Sequence, residues 1–301
     1  MRSIVECVPN FSEGRKTETV ERLAAAITSV PTACVLDRHI DPDHNRSVIT
    51  FVAAPEMVVE AAFRAVKLAS ELIDMREHRG VHPRLGATDV LPFIPISGVS
   101  MEDCVALAHA AGKRIARELA IPVFFYERAA LKPGRVFLED VRRGALELLR
   151  EQIAVDPSRA PDIGQLRVHE SAGAIAVGAR PFLIAFNVNL NTRDVSVAKA
   201  IARVVRARQG GLPFVKALGF ELATRGLVQV SMNLVNYEAT GLAQAYAAVR
   251  KEAERLGVEI AGTEIVGLVP EAALDTKAEY FLRLEKFAAD AVIEQRLEAC
   301  E

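Results

Sequence analysis

The sequence has no tryptophan, and its four cysteines, at positions 7, 34, 104 and 300, are far apart. None of them forms a C-x-x-C pair, so neither a zinc knuckle nor a dithiol redox motif is indicated. The chain also lacks any run of about 20 uncharged apolar residues, the length that a membrane-spanning helix requires. The N-terminal MRSIVECVPNF has no apolar core of the kind found in signal peptides. A cytoplasmic protein without a membrane partner is therefore expected.

Long runs of one charge sign are absent as well. The 37 Lys and Arg residues and 39 Asp and Glu residues leave a net charge of -2, which argues against a polyanionic partner. A sheet face that binds RNA needs basic and aromatic side chains, and aromatic residues are only 6% of this chain, so no nucleic-acid partner is predicted. What the chain does have is 301 residues, half of them apolar, which is enough for one large or two medium-sized domains.

Apolar residues at helical spacing alternate with short apolar runs typical of strands. In the first half, predicted helices cover residues 17–28 and begin again at Pro55, where a missing N–H costs nothing, and at SMED, which has the form of a helix start. In the second half they cover residues 194–208 and 242–256, with a last helix from Glu271 toward the end. The strand candidates are SIVECVP, ACVLD, RSVITFVA, DVLPFIPI and PVFFY, then FLIAFNVNL, FVKALGFEL, LVQVSMNLV and EIAGTEIVGLVP.

Both halves therefore read strand–helix–strand–strand–helix–strand. This is the split βαβ, or ferredoxin-like, order. The predicted fold class is α+β, with two ferredoxin-like subdomains, mixed or antiparallel sheets, and a cleft between them. The connector AVDPSRAPDIGQLRVHESAGAIAVGAR lies between the halves and is rich in Gly, Pro and Ala. Loops of that length are usually functional or disordered.

Two strands of the second half share an amide-rich face. In LVQVSMNLV, Gln229, Ser231 and Asn233 lie opposite the apolar residues, and in FLIAFNVNL the same holds for Asn187 and Asn189. A solvated face is the usual interpretation for an antiparallel sheet. Such a face usually carries Lys, Glu or Thr, however, so a ligand-binding cleft lined by amides has about equal weight.

The segment EHRGVHPRLGATDV contains two histidines four residues apart, His78 and His82. Such a pair binds a metal only when one helix carries both members. Gly80 lies between them, and Pro83 disfavours helical geometry at His82, so a metal site is not predicted. His78 is expected at the frayed end of the long helix, as a cation favoured by the helix dipole. Taken alone, His82 is best interpreted as a structural loop histidine.

Other polar residues favour a functional site around His82 over that structural interpretation. DRHIDPDHNRSV lies between two predicted strands; its Asp-Pro-Asp is good turn chemistry, but its arginine enters an apolar strand, where a cation needs a partner. VPNFSEG follows the first strand. In a split βαβ sheet, these segments and the one before DVLPFIPI converge on one end. The residues predicted to bind substrate there are Asn10, Asp37, Arg46, Arg84 and Asp89.

Four longer motifs resemble the formiminotransferase domain family: VECVPNFSEGR, HNRSVITFV, LIDMREHRGVHPRLGATDVLPFIPISGVS and GARPFLIAFNVNL. The resemblance implies two α/β subdomains with a ligand tunnel between them, at residues 1–178 and 179–301. It implies formimidoyl transfer from N-formimidoyl-L-glutamate to N5 of tetrahydrofolate, in histidine degradation, by a homodimer. The chain ends where the family's first domain ends, so no fused cyclodeaminase is expected. His39 stands where the animal proteins carry an acidic residue.

The resemblance also implies site residues. It places the catalytic histidine at His82, in VHPRLGA, and the folate-binding segment in the connector. That segment consists of Gly164, Gln165, Leu166, Arg167, Val168, His169, Glu170, Ser171, Ala172 and Gly173. Tetrahydrofolate is expected as a co-substrate, and no metal is expected.

A mechanism follows as a hypothesis. His82, with an ordinary pKa of ~6.5, serves as acid and base in an amidine exchange. Arg46 and Arg84 hold the glutamyl carboxylates through bidentate pairs, and Asp37 or Asp89 orients the histidine or offsets charge on the amidinium. The alternatives are a folate-dependent glutamate formyltransferase, a metal-dependent hydrolase, and a non-catalytic small-molecule-binding module.

Overall fold

A computed structural model describes residues 3–42, 44–80, 83–285, 287 and 289–300. The chain forms two compact units, residues 1–180 and 181–301, called here the N-terminal and C-terminal units. Each is an α+β structure built on its own sheet. The predicted division into functional subdomains at residue 178, and the cleft between them, stay predictions.

The N-terminal unit is a split βαβ sheet extended by two more strands. Its strand order is β3-β4-(β1, β2)-β5-β7-β6, in which β1 and β2 act as one interrupted strand between β4 and β5. The strands β5, β7 and β6 are parallel and the other pairs antiparallel, so the sheet is mixed as predicted. The elements are β1 (Ile4–Cys7), β2 (Asn10–Phe11), α1 (Thr17–Thr28), β3 (Cys34–Asp41), β4 (Arg46–Ala53), α2 (Pro55–Leu72), β5 (Thr88–Ser97), α3 (Met101–Leu119), β6 (Val123–Glu127), α4 (Leu138–Val141), α5 (Ala145–Gln152) and β7 (Ile175–Ala179).

Local sequence signals set the helix starts. Ser100 caps α3 through a capping box: its Oγ accepts from the Asp103 N–H at 3.1 Å, and the Asp103 carboxylate accepts from the Ser100 N–H at 2.9 Å. Pro55 is the first residue of α2, as predicted. The apolar stripes of α1, α2 and α3 pack on one face of the sheet to form the main core of this unit.

The connector, residues 154–180, includes a strand that the sequence did not predict. It contains β7, which pairs with β5 and β6 and is buried along its whole length. The residues IAVGA have modest strand propensity, but two parallel neighbours supply all their backbone hydrogen bonds, so tertiary pairing decides the conformation.

The C-terminal unit is a complete split βαβ sheet. Its strands are all antiparallel, in the order β11-β8-β10-β9, and two helices cover one face. The predicted ferredoxin-like order is thus confirmed in this unit. The elements are β8 (Ile184–Leu190), α6 (Val195–Val205), β9 (Val215–Leu222), β10 (Leu227–Leu234), α7 (Leu242–Arg255), β11 (Ile260–Val266), α8 (Glu279–Leu282) and α9 (Ile293–Glu298).

The single last helix predicted from Glu271 is wrong, because the described residues there form two separate short helices, α8 and α9, with short turns around them. The backbone here also bonds to β11: the Thr263 N–H donates to the Arg283 carbonyl at 2.9 Å, and the Glu285 N–H donates to the Thr263 carbonyl at 3.0 Å. Tyr280 is fully buried and anchors the segment. In the described part of the chain, no helix combines the length and apolar character needed to cross a bilayer.

Candidate functional site

A small pocket lies at one end of the sheet in the N-terminal unit. Three segments meet there: the turn after β2, the hairpin between β3 and β4, and the residues leading into β5. Its cavity volume is about 10 Å³, and it is called here the N-terminal pocket. Its lining consists of Phe11, Ser12, His44, Asn45, Arg46, His78, Arg84 and Asp89.

Asn45 holds the three segments together. Its backbone is left-handed, with φ of 49°, a conformation that Asn tolerates better than most residues. Its side-chain oxygen accepts from the Gly14 N–H at 3.0 Å, and its amide nitrogen donates to the Arg79 carbonyl at 2.9 Å. Close packing reinforces these bonds, since a Cβ on Gly80 would lie 2.5 Å from the His44 carbonyl oxygen. The pocket walls are therefore fixed by backbone contacts.

Arg46 lies largely buried in the pocket and donates to the side-chain oxygen of Asn10. Burial lowers the pKa of Arg46 to about 10, assisted by the charge of Arg142 and opposed by Asp89 and Asp41. The guanidinium stays charged at neutral pH. Two predicted substrate residues, Asn10 and Arg46, are thus brought together, and the pocket has a fixed positive charge.

Asp89 is buried at the start of β5 and is paired on both oxygens. One oxygen accepts from the Leu85 N–H at 2.8 Å, and the other accepts from Arg142, which follows α4. The Nε of Arg142 is buried and has no hydrogen-bond partner among the residues that the structure describes.

Arg84 contributes a second guanidinium, and all three of its nitrogens donate hydrogen bonds. Its Nε donates to Nδ1 of His78 at 3.2 Å, and its two terminal nitrogens donate to the carboxylate oxygens of Glu147 at 3.2 and 2.7 Å. Only 14% of the Arg84 side chain is exposed. This bidentate geometry is the arrangement with which arginine recognises carboxylates.

His78 is neutral in this arrangement, contrary to its interpretation as a helix-terminal cation. Burial lowers the pKa of His78, and the nearby charge of Arg84 adds to this, while the bond to Asn45 opposes it. Its Nε2 lies 3.1 Å from the Asn45 carbonyl, which can only accept, so Nε2 carries the proton and Nδ1 accepts from Arg84. His78 lies beyond the end of α2 at Leu72, out of reach of the helix dipole.

His44 is the other described histidine of the pocket. Its Nδ1 lies 2.6 Å from a carboxylate oxygen of Asp41, and the other oxygen of Asp41 accepts from the His44 N–H at 2.9 Å. The ring is 45% exposed. A carboxylate at Nδ1 fixes the ring orientation and directs Nε2 outward.

The far half of the predicted folate segment packs next to the pocket. His169 and Gly173 form a mutual backbone pair, the Ala172 carbonyl accepts from the Ala87 N–H at 2.9 Å, and Gly86 bridges to Gly173. A Cβ on Gly86 would lie 2.2 Å from the Ala174 carbonyl oxygen. This close approach joins residues 169–173 to the segment that enters β5.

The other residues of the predicted folate segment have the following contacts and exposure. Gly164 has φ of +110° and sits beside Pro122, Gln165 accepts from Arg167 at 2.6 Å, and Leu166 is 56% exposed. Val168 packs against the core, Glu170 pairs with Arg76 at 2.9 Å, and the Ser171 carbonyl accepts from the Met75 N–H at 2.7 Å.

One predicted residue, Asp37, does not join this arrangement in the structure. Asp37 lies on β3 opposite Thr50 and does not line the N-terminal pocket. It is four strand positions from Asp41, or ~13 Å at the usual rise of a strand. His82 lies outside the described residues. His39, also on β3, is exposed opposite Val48.

The amide-rich face of the C-terminal unit is a buried hydrogen-bond network at three of its positions. Asn187 donates to Glu264 at 3.2 Å, Asn189 donates to Glu285 at 2.8 Å, and Gln229 donates to the Asn189 oxygen at 2.9 Å. The solvated interpretation is wrong for these three side chains, which are less than 10% exposed, whereas Asn233 is exposed.

Several residues in or beside the pocket were not predicted from the sequence. Ser12, whose hydroxyl donates to the Gly86 carbonyl at 2.8 Å, and Asn45 lie in segments that were singled out, but their turn chemistry gave no separate signal. Arg142 and Glu147 lie in LEDVRRGALELLREQ, which has the appearance of an ordinary charged surface helix. Only Gly144, between the apolar residues of α4 and those of α5, indicates the turn between these two helices.

Comparison with known proteins gives a consistent result over nearly the whole chain. Residues 4–180 match the family described as "Formiminotransferase domain, N-terminal subdomain", and residues 185–297 match "Formiminotransferase domain". The glutamate formimidoyltransferase of Thermoplasma acidophilum is 50% identical over 298 residues, covering 98% of each chain. The glutamate formimidoyltransferase of Streptococcus pyogenes serotype M1 is 45% identical over 95% of this chain and 96% of its own.

A longer relative is the formimidoyltransferase-cyclodeaminase of Rattus norvegicus, which is 44% identical over 95% of this chain and 54% of its own length. The present chain thus spans about half of that protein. The two split βαβ units, the arginine-rich pocket and these relatives define an enzyme of the transferase class. More narrowly, the chain belongs to the formiminotransferase domain family.

Proposed function

We propose that this protein transfers the formimidoyl group of N-formimidoyl-L-glutamate to N5 of tetrahydrofolate, giving 5-formimidoyltetrahydrofolate and L-glutamate. The names of two relatives, at 50% and 45% identity over nearly full length, support the reaction. The names of the matching families agree with them.

The observation that carries the proposal is the pair of arginines in the N-terminal pocket. Arg84 presents its fork toward a carboxylate, and Arg46 keeps its charge in a largely buried position. An amino-acid donor with two carboxylates needs such cations, because a planar guanidinium matches carboxylate geometry. The spare Nε of Arg142 offers a further donor.

The chemistry is an amidine exchange. N5 of the folate attacks the formimidoyl carbon, a tetrahedral adduct forms, and the bond to the glutamate nitrogen breaks. One proton leaves N5 and one is delivered to the departing amine, so a single group that takes up and returns a proton is enough. We assign this role to His82.

The resemblance of VHPRLGA to the family's motif supports His82. His78 is a poor alternative because both of its ring nitrogens are engaged. Asp89 would offset charge on the amidinium, and Asn10 would fix Arg46 against the donor. Asp37, away from the pocket, would act only if the donor extends along β3.

We further propose that residues 164–173 contact the folate, and that residues 169–173 do so closest to the chemistry. Their backbone pairing with the segment entering β5 supports this order. A homodimeric, cytoplasmic enzyme is also proposed; light scattering after size-exclusion chromatography would test the dimer.

The deciding experiment supplies the purified protein with tetrahydrofolate and either N-formimidoyl-L-glutamate or N-formyl-L-glutamate. We expect transfer from the formimidoyl donor, undiminished by a chelator. Preference for the formyl donor would favour the folate-dependent formyltransferase, and folate binding without any transfer would favour the binding module. Loss of activity with chelator would favour the metal-dependent hydrolase. Within the described residues, no three His, Cys, Asp or Glu side chains are grouped to share a metal ion.

A further inference from the structure

Arg84 and Glu147 form a closed pair at the edge of the N-terminal pocket. The carboxylate of Glu147 receives both terminal nitrogens of Arg84, at 2.7 and 3.2 Å. The Arg84 side chain is 14% exposed, whereas the Glu147 side chain is 62% exposed. The arginine is therefore held by its surroundings, while the glutamate reaches it from the solvent side.

The backbone around Glu147 fixes the position of this carboxylate. The chain turns between α4 and α5 through two left-handed residues, Gly144 with φ of 74° and Ala145 with φ of 52°. The next residue, Leu146, is buried, and its N–H donates to the Arg84 carbonyl at 2.9 Å. Backbone and side chain thus both tie the start of α5 to Arg84.

The pair has the chemistry of the proposed donor complex. A glutamyl carboxylate of the donor would accept the same two parallel N–H bonds from Arg84 that Glu147 accepts. Burial raises the pKa of Glu147, but bonds from its own backbone N–H and from Arg84 lower it overall, so the competing group is charged at neutral pH. Both carboxylates cannot occupy the same fork.

We propose that Glu147 is a specificity-determining residue that occupies the position of a donor carboxylate in the ligand-free protein and is displaced when the donor binds. This inference rests on the proposed function and deepens it. Because Glu147 is exposed, it can leave the fork without being buried unpaired elsewhere. Its competition weakens donor binding by about two- to fivefold, the range that a solvent-exposed ion pair represents.

The test compares the wild-type protein with Glu147→Gln and with the control Glu151→Gln. Glu151 lies on the same helix one turn later and is exposed, and its substitution removes the same charge. Binding of L-glutamate, the proposed product, is measured by titration calorimetry, and KM and kcat are measured for N-formimidoyl-L-glutamate. In Glu147→Gln we expect L-glutamate to bind about two- to fivefold more tightly, with a larger change in KM than in kcat. Glu151→Gln should match the wild type.

A second variant shows whether the effect passes through Arg84. In an Arg84→Lys background, Glu147→Gln should no longer tighten binding, because lysine lacks the planar fork. Equal or weaker L-glutamate binding by Glu147→Gln would overturn the inference, as would a gain that survives in Arg84→Lys. Transfer by the wild-type protein tests the proposed function separately. If none of the proteins bound L-glutamate and the wild type transferred nothing, both would fall.

Discussion

The bond between Arg84 and His78 fixes the protonation state of the histidine. A guanidinium can only donate, so Nδ1 of His78 must accept, and adding a proton there would break the bond and place two positive charges together. His78 also closes the pocket wall through the Asn45 carbonyl. Its place in the site is therefore structural, and it orients Arg84 without exchanging protons.

This predicts a pH dependence of stability. The pKa of His78 is lowered in the folded protein, so on acidification the unfolded chain takes up the proton first. The stability that neutral His78 contributes is fully present above about pH 6.5 and is lost as pH falls from there through the lowered folded value. We expect His78→Gln, whose amide can make both bonds, to lose less unfolding free energy between pH 7.5 and pH 5.5 than the wild type does, as measured by urea denaturation.

His39→Gln is the matched control, because His39 is an exposed histidine in the same unit. It should show the wild-type pH dependence. An unchanged pH dependence in His78→Gln would mean that the pKa of His78 is the same in the folded and unfolded protein, against the assignment above.

At the level of single residues, sequence reasoning found part of the pocket. Asn10, Arg46, Arg84 and Asp89 converge because a split βαβ sheet brings the ends of β2, β4 and β5 to one edge. Arg142 and Glu147 could not be found in this way, since they arrive from helices inserted after β6, where spacing carries no information about long-range contacts.

At the scale of elements, the contact between Gly86 and Gly173 joins the connector to the strand that starts the pocket. Each glycine is required by close backbone approach: a Cβ on Gly173 would lie 2.4 Å from the Leu85 carbonyl oxygen, and Gly173 also has φ of 74°. Backbone contacts therefore join residues 169–173 of the segment proposed for folate binding to the residues that enter β5.

Gly86→Ala should separate them. Two carbonyl oxygens, of Ala172 and Ala174, lie 2.3 and 2.2 Å from where the new Cβ would be, so the backbones must shift. We expect a loss of about 1–3 kcal/mol in unfolding free energy, typical of overpacking, together with a raised KM for tetrahydrofolate. Thermal denaturation and steady-state kinetics measure the two effects.

Gly134→Ala provides the comparison, because a Cβ at Gly134 would meet nothing within 4 Å. It should leave both stability and KM close to wild type. A destabilised Gly86→Ala protein with an unchanged KM for tetrahydrofolate would separate residues 169–173 from folate binding.

Elements were predictable where local chemistry decides them. The capping box at Ser100, the proline at the start of α2 and the alternation in β10 are local signals, and they gave helices and strands that agree with the structure. Strand β7 and the segment after β11 could not be predicted, because their conformations depend on partners distant in sequence.

At the scale of the whole molecule, the net charge is near zero, and the pKa of one buried carboxyl, that of Glu6, is strongly raised. Glu6 lies in β1 between Val52 and Ile94, on the face opposite the core residues Val5 and Cys7. It is 2% exposed. Burial raises the pKa of Glu6 to about 7, with the charge of Arg180 opposing the rise.

Glu6 therefore makes global stability fall with rising pH. The unfolded chain releases this proton near the ordinary pKa of glutamate, and the folded chain releases it only near pH 7. Stability from protonated Glu6 is full below the unfolded value and is lost as pH rises through about 7. Between pH 5 and pH 8, we expect the wild type to lose unfolding free energy relative to Glu6→Gln, by on the order of 3 kcal/mol. Chemical denaturation at the two pH values measures it, and parallel curves for the two proteins would contradict the assignment.

The most direct test of the central claim is formimidoyl transfer by His82→Ala, measured beside His44→Ala in the same assay. We expect His82→Ala to fold and to bind L-glutamate as the wild type does, while its turnover falls by about 10²–10⁴-fold, the usual contribution of a general acid–base group. His44→Ala should retain more activity than His82→Ala. Turnover of folded His82→Ala near the wild-type value would contradict the account, and a large loss confined to His44→Ala would assign proton transfer to the histidine held by Asp41 instead.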